Sequence, residues 1–274
     1  MDDNNKSDLA QVSEALYATL LLIVVAEPDI LNTFIEKDPC PQKTWEKLKL
    51  DLSTEQARED FAQKIEKWLK ARDWSHAESV MQQWGKYGWV LMPDVIPVHK
   101  WEICPHSQEE ADEYMLSQFD SIGMQELINT IIAESNQSSL VDEAVKCFKN
   151  ECFTACASLL LSLIDGTLIS SFVNEQFENK KTGKIAGQRI INETDKNIYF
   201  FIPGIFGLQS TNFRTYIAQL FESANNFSDE PECLNRNFVH HGMSKRQITR
   251  VDCIKLFLAY LQAIRFTQYT TPAR

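Results

Sequence analysis

Apolar residues recur every three or four positions over most of this chain, which is the spacing of an amphipathic α-helix. Between residues 7 and 26, for example, this step is kept by Leu9, Val12, Leu16, Leu20 and Ile23. Glycine and proline, which interrupt helices, number only nine each among the 274 residues. The sequence therefore predicts an all-α protein built as a helical bundle.

The distribution of apolar segments predicts two helical domains. The polar cluster ESNQSS at residues 134–139 precedes the most hydrophobic stretch of the chain, residues 140–177. Polar clusters of this kind are typical of breaks between packed segments. We therefore expect an N-terminal helical domain over residues 1–134 and a second helical domain over residues 135–274.

Helix-start patterns and turn residues locate several helices within these domains. In the first domain, helices are expected over residues 7–26, from Ser53, from Ser75 to about Tyr87 and from Ser107, with a buried connector, GWVLMPDVIPV, at residues 88–98. In the second, Asn150-Glu151 divides the hydrophobic stretch, Thr211 begins a helix, and the Thr249-x-x-Asp252 pattern caps the last one. Residues 197–208 fit either a strand or a buried loop. Gly123 is expected to mark a break.

Composition predicts a cytoplasmic protein that needs no metal or cofactor. The first eight residues are acidic and polar, unlike an export signal, and the apolar run 15–26 is shorter than the roughly 20 residues of a membrane span. The seven cysteines include no C-x-x-C pair, and Cys147, Cys152 and Cys156 lie among apolar residues, so reduced, buried thiols are expected. The net charge of -11 argues against a protein that coats nucleic acid.

The segment LNRNFVHHG, residues 234–242, concentrates polar side chains between two hydrophobic segments. It carries Arg236, Asn237, His240 and His241. We expect it at the end of a helix that runs from Pro231 to Gly242, where glycine is a common C-terminal stop. So many polar groups in nine residues are hard to explain as core.

Arg236 followed by Asn237, with His241 five positions after the arginine, resembles the R-x4-6-H motif of the HEPN superfamily. The run CFTACASLLLSLIDGTL, residues 152–168, and the capped last helix are similar in their order to bacterial HEPN-like proteins, several of which are linked to abortive infection. The resemblance covers residues 85–266 loosely and residues 230–264 well. It implies a HEPN-like second domain.

The resemblance also implies a function: a metal-independent endoribonuclease that acts as a toxin or in antiviral defence. RNA would be the substrate, with tRNA as one candidate, two copies would form a homodimer, and an antitoxin or defence protein would be a further partner. Arginine can bind two phosphate oxygens, and histidine can exchange protons near neutral pH. Arg236 and His241 would therefore carry the reaction, Asn237 would orient a group, and Asp165 would support them.

Two alternatives stay open at this site. Residues four apart share a helix face, so Arg236 pairs more naturally with His240, unless a left-handed Gly242 lets His241 turn toward the arginine. Arg236 could also belong to a buried polar network with Asp165, in a HEPN-like protein that binds partners without catalysis.

Basic residues collect around the same segment. Between Arg236 and Arg265 the sequence carries six basic residues and one acidic residue, Asp252; the basic ones are Arg236, Lys245, Arg246, Arg250, Lys255 and Arg265. A local phosphate-binding patch predicts that Lys245, Arg246 and Arg250 contact RNA. The alternative is a solvated loop and helix start without a ligand.

Overall fold

The computed structural model describes residues 75–92, 103–119, 121–176 and 205–270. This part of the chain contains α-helices and a turn of 3-10 helix, and no strands. The α-helices are α1 (Ser75–Lys86), α2 (Gln108–Leu116), α3 (Ser121–Glu134), α4 (Ser138–Lys149), α5 (Phe153–Gln176), α6 (Ile205–Leu220), α7 (Arg236–His240) and α8 (Arg250–Thr270). The all-α prediction is confirmed for these residues. The helices expected at 7–26 and from Ser53 lie outside them.

The chain divides into two compact units. One comprises Met1–His76 with Tyr199–Leu208, and the other comprises Ala77–Ile198 with Gln209–Arg274. The helices that carry the predicted site residues belong to the second unit. Residues 134 and 135 both fall within this unit, and the division of the chain between them stays a prediction.

Helix α8 forms the centre of the second unit. It packs against α3 and α5, and α5 also contacts α4 and α7. All residues from Asp252 to Ile264 are buried, as expected of a helix surrounded on every side. The predicted cap is confirmed: the backbone N–H of Thr249 donates to Asp252 Oδ2 at 2.8 Å, and the Asp252 N–H donates to Thr249 Oγ1 at 3.3 Å.

Polar residues on α8 are balanced by partners from elsewhere in the fold. Lys255 is 8% exposed; its Nζ lies 2.7 Å from Asp112 Oδ1 on α2 and 4.9 Å from the centre of the Trp89 ring. Trp89 also donates to the same carboxylate, at 2.8 Å. Burial lowers the pKa of Lys255, and the hydrogen bond to Asp112 opposes this effect. The ion pair therefore ties α2 and the chain after α1 to the central helix.

The chain after α1 is held by one asparagine of α6. Asn212 is fully buried; its Nδ2 donates to the carbonyls of Met81 and Trp89 at 3.0 and 2.9 Å, and its Oδ1 accepts from the N–H of Leu91 at 2.9 Å. Residues 89–92 are buried outside any helix, so these bonds satisfy backbone groups that secondary structure would otherwise pair. The predicted buried connector is confirmed for the described residues 88–92.

Helix boundaries in α3 and α6 differ from the sequence prediction. Thr211 does not begin a helix: it lies buried inside α6, which starts at Ile205. Gly123 does not mark a break, because it lies within α3, whose packing against α8 outweighs the modest helix penalty of glycine. Residues 205–208 are helical, so neither a strand nor a loop describes them, and residues 197–204 lie outside the described part.

The predicted division of the hydrophobic stretch is confirmed, since α4 ends at Lys149 and α5 begins at Phe153. Between them, Glu151 adopts a left-handed conformation with φ of 60°. The prediction of buried cysteines holds for Cys156 alone among the three: Cys147 is half-buried and Cys152 is exposed. The turn between the helices exposes Cys152 because it lies outside both hydrophobic faces.

One described helix segment, Phe153–Ser170 of α5, is long and apolar enough to cross a membrane by length and composition. Its mean hydropathy is 1.6, and 39% of the segment is buried within the protein. The buried side of this helix packs on α4 and α8, as expected of a core helix in a bundle.

Replacing Asn212 with alanine should destabilise the protein by about 2 to 4 kcal/mol, because two buried carbonyls and one buried N–H lose their partner together. Urea unfolding followed by circular dichroism measures the change. The matched control is Asn129→Ala on the exposed face of α3, which should change stability by less than about 0.5 kcal/mol. Equal stability of the two variants would contradict the role given to Asn212.

Candidate functional site

The five-residue helix α7 is positioned by the asparagine that precedes it. Asn235 is 2% exposed and has an extended backbone, and its side chain accepts from the N–H groups of Asn237 and Phe238 at 2.9 and 3.4 Å. Its Nδ2 donates to the carbonyl of Glu222 at 3.0 Å, just beyond α6. One side chain therefore caps α7 and anchors it to the end of α6.

Helix α7 ends at a glycine in the left-handed conformation. Gly242 has φ of 66°; its N–H donates to the Val239 carbonyl at 3.1 Å, and the Met243 N–H donates to the Phe238 carbonyl at 2.8 Å. This pair of bonds is a Schellman motif. Gly242 therefore ends the helix, as the sequence predicts, although its left-handed conformation leaves His241 against Phe227 and not against Arg236. The helix predicted from Pro231 is wrong in its start, because Asn235 takes the capping position and only residues 236–240 are helical.

Arg236 lies between three elements. Its Nη2 donates to Asp165 Oδ2 on α5 at 2.7 Å, its Nη1 donates to Asn237 Oδ1 at 3.3 Å, and its Cζ lies 6.0 Å from the centre of the Phe221 ring. The Arg236 side chain is 26% exposed, and its Nε is buried without a hydrogen-bond acceptor. The guanidinium is thus held in a fixed orientation with one donor unused.

Asn237 bridges the arginine and the end of α6. Its Nδ2 donates to the Glu222 carbonyl at 2.9 Å while its Oδ1 accepts from Arg236. Since both ends of the amide are engaged, Asn237 orients the guanidinium.

His240 faces α5 on the same side as Arg236. Its Nε2 lies 3.4 Å from the Ser158 carbonyl. A carbonyl only accepts, so this contact requires a proton on Nε2 and leaves Nδ1 of the neutral ring as an acceptor. Burial lowers the pKa of His240, and the positive charge of Arg236 lowers it further, whereas the Ser158 contact and Asp165 raise it.

His241 occupies a different environment. It is the C-cap of α7 and is exposed, and its ring packs edge-on against Phe227 with 5.3 Å between ring centres. In the described part of the chain no hydrogen bond or ring contact joins it to Arg236. The structure therefore brings Arg236, Asn237, His240 and Asp165 together, with His241 at the adjoining surface.

The cations around the site are largely paired. Among the six basic residues from 236 to 265, all described, four lie in ion pairs: Arg236 with Asp165, Arg246 with Asp252, Lys255 with Asp112 and Arg265 with Glu134. Arg250 is exposed, with its Cζ 5.3 Å from the centre of the Phe148 ring, and Lys245 is exposed. Of the three predicted RNA contacts, Lys245 and Arg250 are thus open to solvent, whereas Arg246 is committed to Asp252.

Sequence reasoning missed the groups that set this geometry. Asn235 could have been found, since asparagine is a favoured N-cap and it directly precedes Arg236. The carbonyls of Ser158 and Glu222 and the ring of Phe227 carry no sequence signal, because only the packing of α5 and α6 brings them to α7. Within the described ranges, no group of three or more His, Cys, Asp or Glu side chains is arranged to hold a metal ion.

Comparison with known protein families, characterised proteins and solved structures finds no match to this chain.

The charges next to His240 predict opposite pKa changes in two variants. Asp165→Asn should lower the pKa of His240, because a carboxylate that favours the imidazolium is lost and Arg236 is left uncompensated. Arg236→Gln should raise it for the converse reason. An NMR titration of the histidine rings measures both shifts, with His240→Gln to assign the signal and Asp229→Asn as an exposed control. Shifts of the same sign in both variants would contradict this electrostatic picture.

The lowered pKa also predicts a stability change with pH. The folded protein binds this proton less tightly than the unfolded chain does, so the contribution of His240 to stability is present above pH 6.5, the ordinary histidine pKa. It is lost as the pH falls through the lower pKa of the folded state. Unfolding measured on both sides of this window should show a smaller acid destabilisation in His240→Gln than in the wild type.

Proposed function

We propose that this chain is a metal-independent endoribonuclease of the HEPN type, acting in the cytoplasm as a toxin or in antiviral defence. The observation that carries the proposal is that Arg236, held by Asn237 and Asp165, and His240, which contacts the Ser158 carbonyl, lie on the same side of α7. RNA cleavage without a metal needs a base for the 2'-hydroxyl, an acid for the leaving oxygen and a cation for the phosphate. The site offers residue types suited to all three.

Arg236 is proposed to bind the scissile phosphate. Its side chain is 26% exposed, and its orientation is already fixed by Asp165 and Asn237. A pre-oriented donor stabilises charge that develops on a phosphate without reorganising during the reaction.

His240 and His241 are proposed to share the proton transfers. The lowered pKa of His240 keeps its ring neutral at cellular pH, and the Ser158 contact leaves Nδ1 as an acceptor, so it suits a general base. His241 is exposed one residue away and suits the acid role at the RNA surface. Lys245 and Arg250 are proposed to contact the RNA backbone outside the reacting group.

A second copy is proposed to complete the site as a homodimer through the exposed face of α5. Next to Asp165, the position of Gly166 is open: a Cβ built there meets no atom within 4 Å. A cleft of about 330 Å³ borders it, lined in part by Ser162, Gly166 and Leu140. Leu140 at this cleft is 38% exposed, and Ile169, three residues after Gly166 on α5, is 44% exposed; exposed apolar side chains of this kind favour protein contact.

A second candidate function is a HEPN-like protein that binds a partner, an antitoxin or another defence protein, without catalysis. The observation that favours it is the pairing of Arg236 with Asp165 at 2.7 Å, which neutralises the cation on which a nuclease would depend. In that case the cluster would serve mainly to hold α7 between α5 and α6.

The nuclease proposal predicts that purified protein cleaves RNA in the presence of EDTA, with total RNA and tRNA as substrates. Arg236→Ala and His240→Ala should each reduce cleavage by about 100-fold or more, the usual scale for loss of acid–base or charge stabilisation. His241→Ala tests whether the exposed ring takes part. His106→Ala, an exposed histidine on another segment, is the matched control and should retain full activity.

Thermal unfolding of each variant separates loss of chemistry from loss of fold. Cleavage that survives Arg236→Ala in a folded protein overturns the assignment of the arginine. Inactivity of the wild type on every RNA, with a normal melting curve, favours the partner-binding candidate.

The dimer proposal predicts that Gly166→Arg yields a monomer, measured by light scattering after size-exclusion chromatography. The substitution should preserve the fold, since space is open at Gly166 and arginine favours helix more than glycine does. Gln82→Arg adds the same charge to an exposed position of α1 and should leave the dimer intact. A wild-type monomer at every concentration, or a Gly166→Arg dimer, would rule out this surface.

A further inference from the structure

The junction between α4 and α5 brings two cysteines together through the backbone. The Cys152 N–H donates to the Cys147 carbonyl at 2.8 Å, and the Glu151 N–H donates to the Phe148 carbonyl at 3.1 Å, with Glu151 at φ of 60°. These are the two bonds and the left-handed residue of a Schellman motif. Cys147 and Cys152 occupy the two positions whose side chains commonly touch in this motif.

The backbone bond also limits the distance between the two residues. With an N···O distance of 2.8 Å, standard bond lengths keep the two α-carbons within about 6.7 Å of each other. Disulfides usually join α-carbons separated by roughly 4.4 to 6.8 Å. The backbone therefore already lies within the range that a disulfide spans.

Both thiols are free and reachable. Cys152 is exposed and Cys147 is half-buried. The Cys152 Sγ lies 3.6 Å from the carbonyl oxygen of Asn150, at the surface of the turn. By contrast, Cys156 and Cys253 are buried within the packed helices, where a reagent cannot approach without opening the core.

We propose that Cys147 and Cys152 form a reversible thiol–disulfide pair that reacts with low-molecular-weight disulfides. The thiolate of Cys152 attacks one sulfur of the small disulfide, and one small thiol leaves. The thiolate of Cys147 then attacks the Cys152 sulfur, and the second small thiol leaves. Two electrons pass from the protein to the small disulfide, and the two protons lost by the protein thiols are taken up by the two products.

The bridge would act on the local packing of the bundle. It would tie the last turn of α4 to the residue before α5, on either side of the left-handed Glu151. Phe148, next to Cys147, has its ring centre 5.5 Å from that of Phe257 on α8 and 6.1 Å from that of Phe153 on α5. Oxidation therefore fixes a junction that supports the central helix, independently of the proposed nuclease.

Peptide mapping of the full-length, folded protein tests this pair, with oxidised glutathione as the probe. Trypsin cleaves after Lys146 and Lys149, so Cys147 lies in the peptide CFK and Cys152 lies in the peptide that begins at Asn150. We expect a cross-link between these two peptides, with fragmentation that assigns it to Cys152, and loss of two hydrogen masses from the intact protein. Dithiothreitol should restore the starting mass.

Three single variants test which cysteines form the cross-link. Cys147→Ser should retain one glutathione on Cys152, because the resolving thiol is absent, and Cys152→Ser should abolish the cross-link. Cys104→Ser, a half-buried cysteine elsewhere, is the matched control and should retain the cross-link. A wild-type protein that keeps glutathione on Cys152 without forming the bridge overturns the proposal, as does a cross-link from Cys147 to Cys156.

Discussion

Burial of α8 on all sides is the constraint on which the second unit depends. Every residue from Asp252 to Ile264 is buried, so each polar group among them needs a partner that some other element supplies. Asp252 is met by Arg246 at 2.9 Å, and Lys255 is met by Asp112 at 2.7 Å. These pairs position α2 and the loop before α8, and they leave few cations of the C-terminal segment available to a ligand.

Buried asparagines supply hydrogen-bond partners to backbone groups where the chain lacks regular structure. Asn212 satisfies three backbone groups in and after α1, and Asn235 satisfies groups of α7 and of the chain that follows α6. An asparagine carries two N–H donors and a carbonyl acceptor on a short side chain. It can therefore pair with both the carbonyls and the N–H groups of a backbone segment that lies outside a helix or sheet. The site on α7 is therefore held at the start of the helix by Asn235 and at Arg236 by Asp165 of α5.

The placement of the site changes how its histidines are interpreted. Arg236 and His240 share the side of α7 that meets α5, while His241 lies at the surface beside Phe227. The sequence motif gives preference to His241, and helical spacing gives preference to His240. The contacts with Ser158 and Asp165 favour His240 as the partner of Arg236. A nuclease that uses both rings would place its base against α5 and its acid toward solvent.

The sequence by itself determined the helical class, the cap of α8 by Thr249 and Asp252, the division between α4 and α5, and the left-handed stop at Gly242, because these features depend on local spacing and backbone preference. The predicted starts of α6 and α7 were wrong, because α6 begins at Ile205, before Thr211, and the cap of α7 is Asn235, a local signal that the prediction passed over. Only the tertiary structure decided which cations are neutralised and which histidine faces Arg236. Each of these depends on groups distant in sequence, which only packing brings together.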